Sequence, residues 1–484
     1  MSTNKVMLKK KAFLILCCEI FFLFLSVAVV LFSYNNTSMV TFLQLSKYGT
    51  VMCIVFTILL CMVQKSIFSI VNLVYISFWV FQFGLPICYT LIKDYSNFYI
   101  NLFDVQILVK GCQYSIVAIE VFAIASTIML AKPNNTRTRI VFDRCTWTKD
   151  SNHVEQIGTY IFALTVLIEL PLMMYAAYAT RAYGFFTANT RSFLSSNALF
   201  RAIQAFCIPS GLLVMIFTKS LSKKKLLNAA LCLISILQLV AGDRTNGLSC
   251  LLALAYYHVL GSGDSSENSR KQIGKQIKFG AILCVLMIVL VYVAIARVST
   301  ANVSIWKTIS EGLIGKFLAE LGLNFTTICF VMRYVPSQYK FRMGLTYLGA
   351  LVCVIPKSID PTGTIAFIGS FNPELWLFNA NHVNYGSLLD FGVGFSLIGE
   401  SYLNFAWFGL LAVFIIALIV MKFISVDYLN CSSWGKFVQL VLLIDLMTFS
   451  RRGFYDLVKD IEYSIFAIAL LLWGTYSFKR HRRW

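Results

Sequence analysis

The sequence predicts an all-α polytopic membrane protein of about twelve spanning helices with one long outer loop, on three observations. Of the 484 residues, 58% are hydrophobic and only 13% are charged. The apolar residues come in repeated runs of roughly 18 to 25, the length a helix needs to cross about 30 Å of hydrocarbon. The segments between the runs alternate in their load of Lys and Arg, as the positive-inside rule requires of a multi-pass chain.

The first run, Ala12 to Phe32, follows Lys9, Lys10 and Lys11. It is too long for the apolar region of a signal peptide and no small-x-small cleavage pattern follows it, so it reads as a permanent span. Runs near 48–63, 67–92, 106–131, 157–178, 199–218, 226–241, 246–260 and 279–296 continue the series, making residues 1–296 nine spans with short loops. Residues 297–401 are the long outer loop, the expected catalytic region. Spans near 402–421, 437–449 and 461–478 follow, and residues 402–484 end in a basic tail. Twelve crossings, with the more basic segments inside, put both termini in the cytoplasm.

The 14 cysteines are scattered through the apolar runs with no CxxC and no Cys/His cluster at ligand spacing, so neither a disulfide framework nor a metal site is expected. No cofactor is expected either. The formal net charge of +19 would suit a nucleic-acid binder, but the positions of the charges argue otherwise. The segments predicted to lie inside hold 17 Lys and 7 Arg, which is orientation charge. Those predicted to lie outside hold 8 Lys and 9 Arg. Orientation needs only charge, whereas bidentate recognition of phosphate or carboxylate favours the planar guanidinium. Each outer Arg alone could simply snorkel to lipid phosphates; as a set they point to an anionic ligand on the outer face.

Three outer features stand out. The long loop carries Glu320 in AELGLNF, Arg333, Arg342, the apolar run GLTYLGALVCVIP (Gly344 to Pro356), then His382, Asp390 and Glu400. The apolar run is too short to span and reads as a re-entrant or interfacial helix. Loops of this length are uncommon without a function. The second feature is the tight turn Gly242-Asp243-Arg244-Thr245-Asn246-Gly247. Its glycines and asparagine suit a reverse turn, which leaves Arg244 unexplained. The third is Ser450-Arg451-Arg452-Gly453, an outer connection that breaks the charge rule with a paired Arg, a costly arrangement that invites a ligand.

Glu19, Glu120, Glu169 and Asp445 fall inside predicted spans, where such groups face the bundle interior or a wet cavity; Glu120 and Glu169 either belong to a proton path or pair with Lys110 or a neighbouring hydroxyl, and Asp445 is placed to partner Arg451 or Arg452. The run Gly392 to Gly399 lacks the strand-then-helix setting of a dinucleotide fingerprint, and no P-loop or GxSxG is present.

The order of GDRTNG, then AELGLNFTTICFVMRYVP, FRMGLTYLGALVCVIP and GFSLIGESYLNFAWFGLL, then an Arg near the last outer turn resembles the O-antigen and capsular polysaccharide polymerases of the Wzy type, over residues 240–455. The resemblance implies a glycosyltransferase. It would move a growing chain from undecaprenyl pyrophosphate onto a new undecaprenyl-pyrophosphate-linked oligosaccharide repeat unit at the outer face of the membrane. Arg244, Arg333, Arg342, Arg451 and Arg452 are then the candidates for binding the pyrophosphate, whose charge grows as the glycosidic bond breaks. Arg244 is also a catalytic candidate with Glu320, His382 and Glu400, and Asp390 is a further possible base. Glu400 has an alternative role, holding a helix start by its charge. The expected partners are the lipid-linked oligosaccharide, the bilayer and a chain-length regulator protein, with no nucleic acid. An O-antigen ligase is the nearest rival; a flippase or other transporter would place its charges at the midplane of two repeated halves.

Overall fold

A computed structural model of the chain describes residues 2–64, 66–92, 95, 97–131, 150–183, 198–261, 269–298, 313–355, 360, 362–386 and 394–481. The helices are α1 (Ser2–Ser33), α2 (Met39–Gln64), α3 (Ile70–Leu91), α4 (Val105–Ala131), α5 (Ser151–Tyr183), α6 (Ala198–Phe217), α7 (Leu221–Val240), α8 (Arg244–Ala255) and α9 (Ser269–Val298). They continue with α10 (Leu313–Gly322), α11 (Phe325–Tyr334), α12 (Leu345–Val352), α13 (Thr364–Gly369), α14 (Pro373–Tyr385), α15 (Leu397–Phe405), α16 (Gly409–Ile424), α17 (Ser433–Met447), α18 (Phe449–Ile461) and α19 (Ala467–His481). The described residues include no strand.

Among the described residues, eight helical segments are long and apolar enough to cross a membrane. Seven coincide with predicted spans, and the other predicted spans are also helical but shorter (α6, α7, α8, α17 and α19). The eighth, Gly315–Tyr334, lies inside the segment the sequence assigns to the outer loop.

The chain divides into two compact units. The first comprises Met1–Asn134, Ile314–Ser425 and Leu446–Lys459. Its centre is α4, which packs against α1, α2, α3, α11 and α16. Small residues permit this: a Cβ at Gly111 would lie 3.0 Å from the Cys329 sulfur. Polar groups tie the bundle internally, as expected where water is absent. Thr127 donates to Glu19 at 2.8 Å, Ser26 donates to Glu120 at 2.5 Å, and Gln113 donates to Ser33 at 2.8 Å. Glu19 and Glu120 each accept from a hydroxyl of another helix, the neighbouring-hydroxyl partner that the sequence offers for Glu120.

Within this unit α10 and α11 form a hairpin that dips between α3 and α4 and returns. Gly315 meets Ile92 and Cys88 at the end of α3, and further along α10 the backbones of Gly84 and Gly322 touch. A Cβ on Gly322 would sit 2.0 Å from the Leu85 nitrogen, so only glycine fits there. The chain turns at Asn324 and climbs α4: Phe325 and Cys329 lie against Gly111, Phe330 against Phe103, and Arg333 donates to the Leu102 carbonyl at 2.6 Å. Both hairpin ends therefore lie beside the connection between α3 and α4. At 1.5 Å per residue the tip is roughly 10 Å in from the helix ends.

The second unit comprises Asn135–Leu313, Val426–Asp445 and Asp460–Trp484. Here α5 packs against α6 and α7, and α7 and α8 make a tight antiparallel pair. Three ends that carry predicted inside charges meet: Lys223 bridges Glu155 at 2.8 Å, Lys479 lies 3.8 Å from Asp150, and His153 bonds Thr475 at 3.2 Å.

Candidate active site

The GDRTNG turn in the second unit is built as its residue types suggest. Gly242 takes a left-handed conformation (φ 88°), and Asp243 caps α8 by accepting from the Asn246 N–H at 3.2 Å. The Asn246 side chain donates to Asp243 at 2.8 Å, and a Cβ at Gly247 would lie 2.7 Å from the Ser235 carbonyl. Four of the six residues thus have a structural task, and Arg244, the first residue of α8, is not among them. The Arg244 side chain lies outside the described residues.

The first unit gathers most of the other candidates around α15. Ser396 caps this helix by accepting from the Gly399 N–H at 2.9 Å, which places Glu400 in its first turn. Glu400 is wholly buried. Its Oε1 accepts from Thr346 at 2.8 Å, and its Oε2 accepts from the Phe454 N–H at 2.6 Å and the Tyr455 N–H at 3.4 Å. Asn404 extends the network, donating to Thr346 at 2.7 Å and to the Glu400 carbonyl at 2.8 Å while accepting from the Gly344 N–H at 2.9 Å. One carboxylate thus joins α12, α15 and the segment after the Arg pair.

That segment is shaped by glycine. α18 breaks at Gly453, whose φ of 78° belongs to the left-handed region, and a Cβ there would lie 2.7 Å from Glu400 Oε2. On the other side of the Arg pair, Phe395 donates its N–H to the Arg451 carbonyl at 2.9 Å. Asn324, at the tip of the α10–α11 hairpin, donates to the carbonyls of Ser450 and Phe395. Ser77 donates to the Met447 carbonyl at 2.8 Å, so the turn begins level with the middle of α3. Arg451 and Arg452 are half-buried in the first turn of α18, ahead of its break at Gly453, and this turn is anchored from both sides.

A residue that the sequence reading passes over lies beside this pair. Glu374 occupies the first turn of α14, whose start is fixed by Asn372 accepting from the Leu375 N–H at 2.9 Å and by Pro373 in the first helical position. Burial raises the Glu374 pKa above the ordinary carboxylate value and the charge of Asp456 raises it further, while Arg452, Arg451 and Lys459 pull it down. A carboxyl, two guanidiniums and an ammonium therefore share one electrostatic neighbourhood. The pattern Asn-Pro-Glu signals a helix start in the sequence, but nothing local ties it to residues some eighty positions later.

Of the remaining candidates, Arg342 anchors its backbone to the Leu403 carbonyl at 3.0 Å and holds its guanidinium 5.4 Å from the centre of the Phe371 ring. Arg333 sits over Tyr385 at 5.6 Å while bonding Leu102. His382 is exposed on α14 and parallel to the Phe378 ring. Glu320 stands on α10 between Leu318 and Gly322, which pack against α3. Asp390 and Pro356 lie outside the described residues, and α12 is the short apolar helix expected after Gly344.

Beside this arrangement of Arg residues, hairpin and buried carboxylate network, the family match covers nearly the whole chain: O-antigen polysaccharide polymerase Wzy, residues 14–481. The chain belongs to the Wzy polymerase family. It is an all-α polytopic membrane protein and an O-antigen repeat-unit polymerase in the broad sense, acting on lipid-linked oligosaccharide. No curated protein and no solved structure matches it. For a Wzy polymerase, the resemblance read over 240–455 extends into the first 240 residues, where no motif in the sequence carries it.

Proposed function

We propose that the chain polymerises undecaprenyl-pyrophosphate-linked repeat units at the outer face of the inner membrane, with both termini in the cytoplasm, and that the Arg451–Arg452 turn receives the pyrophosphate of the donor. The observation that carries this reading is the anchoring of that turn by Asn324, Phe395 and Glu400. Donors held in place before reaction stabilise developing charge without reorganising. The two remaining loop arginines of the first unit, Arg333 and Arg342, complete its candidate set for the anionic substrate, and Arg244 is the candidate of the second unit.

In the reaction, the bond between the donor sugar's anomeric carbon and the pyrophosphate oxygen breaks, and the electron pair leaves with undecaprenyl pyrophosphate. An acceptor hydroxyl oxygen forms the new glycosidic bond, and its proton passes to a base. Glu374 suits that role better than Glu400. It shares the electrostatic field of Arg451 and Arg452, where the leaving pyrophosphate is proposed to sit. Both oxygens of Glu400 already accept hydrogen bonds in a wholly buried site, which makes it a positioning residue. We propose a metal-independent reaction, since the charge to be neutralised faces arginine. A chain-length regulator is the proposed protein partner.

Deleting the gene in its native strain tests the reading. A polymerase defect leaves surface polysaccharide with a single repeat and no ladder on a gel. A ligase or flippase defect leaves no repeat at all, and that result would overturn the proposal.

A further inference from the structure

The first unit contains a cavity of about 250 Å³, and of its wall the reaction described above uses only Arg342. Its wall includes Arg342, Thr346, Ser370, Phe371, Trp376 and Asn379. We propose that this cavity is a sugar-binding subsite, holding one pyranose ring of the repeat unit next to the arginine turn; the proposal rests on the polymerase reading.

The wall has the chemistry of a carbohydrate site. Guanidinium, amide and hydroxyl groups alternate with two aromatic side chains, which suits a ring with hydroxyls at its edge and C–H groups on its faces. An acyl chain would cover the polar groups without giving them partners, which is unfavourable. The volume also selects. At about 250 Å³ it has room for one small ring.

The frame of the cavity is fixed by contacts outside it. The Trp376 ring is wedged edge-on between Tyr339, at 5.6 Å, and Phe395, at 6.5 Å. Its indole nitrogen is buried without a hydrogen-bond partner among the described residues. Arg342 is positioned by its backbone bond to Leu403 and by Phe371 beneath it.

Two links join the cavity to the arginine turn. Thr346 lines the cavity and donates to Glu400, which in turn holds Phe454. Pro373 and Leu375 also line it, and between them Glu374 shares the field of Arg451 and Arg452. A ring bound here is thus held by the same two elements, α12 and the start of α14, that border the Arg pair. Such a subsite would bind the sugar independently of the pyrophosphate, so that remote binding orients the reacting bond.

The test uses the full chain in nanodiscs and, as probe, the one-repeat oligosaccharide obtained by partial acid hydrolysis of the native strain's own surface polysaccharide. This probe carries neither lipid nor pyrophosphate and exists whatever the gene does. Saturable binding by the wild type is expected, with affinity falling about tenfold or more in Leu375→Trp and in Asn379→Ala. Leu375 lines the cavity and is 55% exposed, so a Trp there adds bulk to the wall without emptying the core. No saturable binding by the wild type, or equal binding by Leu375→Trp and Asn379→Ala, overturns the subsite. Either result can occur while the deletion strain still shows its single-repeat phenotype, so failure here is separate from failure of the polymerase reading.

Discussion

The Oε2 of Glu400 accepts the N–H of Phe454 at 2.6 Å, while its Oε1 accepts from Thr346 at 2.8 Å. Glu400→Gln keeps the shape but presents an N–H₂ group to one of these donors. The lost bond should cost about 1–3 kcal/mol of stability, since a buried donor is left unmade. A lowered melting temperature of the purified protein together with a weakened ladder is expected. A lost ladder at unchanged melting temperature would instead make Glu400 a participant in the chemistry.

Gly453→Ala meets the same carboxylate from the other side. The new Cβ would lie 2.7 Å from Glu400 Oε2, at a φ of 78°. Left-handed strain alone is on the order of 1–3 kcal/mol. The variant should accumulate poorly in the membrane or unfold at lower temperature, as immunoblotting and thermal shift would show.

Replacing both Arg451 and Arg452 by Ala should abolish the ladder with protein still present in the membrane. Lys at either position should restore little, because an ammonium cannot make the bidentate contact. Arg244→Ala should likewise abolish the ladder; an unchanged ladder would remove Arg244 from the site.

Glu374 supplies the pH test. Its folded-state pKa is raised, so the base form fills only as pH climbs above the ordinary carboxylate range. The acid limb of the rate profile should lie correspondingly high in a membrane assay. Glu374→Gln should remove that limb and lower the rate about 10²–10⁴-fold, the usual contribution of a general base. The linkage has a definite sign. A carboxyl with a raised folded pKa binds more protons when folded, so its contribution to stability falls as pH rises between the unfolded and folded values. Glu374→Gln should flatten that dependence.

Polymerisation by membranes treated with a chelator should proceed at the untreated rate, if arginine alone meets the pyrophosphate. A rate that collapses with the chelator and returns with a divalent cation would require a metal.

Hydropathy and charge alternation make the helices legible, because crossing hydrocarbon forces long apolar runs on any sequence. The GDRTNG turn is legible too, since Gly242 and Asp243 are local conformational signals. The Glu374 neighbourhood is not, because its partners Arg451 and Arg452 are brought there by tertiary packing alone. Glu400 is visible as an acid in a helix start, yet its two acceptor bonds reach 54 residues in either direction along the chain. The segment Gly315–Tyr334 reads as loop in the sequence because Glu320 and the Leu323-Asn324 turn interrupt it. It is nevertheless long and apolar enough to cross a membrane.

That hairpin bears on the arithmetic of topology. A segment entering and leaving beside the same connection, between α3 and α4, adds an even count to the crossings, whatever its hydropathy suggests. Counted as a single crossing it would invert the assigned side of every later loop, moving the arginine turn to the opposite compartment from the α3–α4 connection. The bonds of Arg333 to Leu102 and of Asn324 to Ser450 support the even count, and on that parity rests the proposed common side for the two ends of the chain.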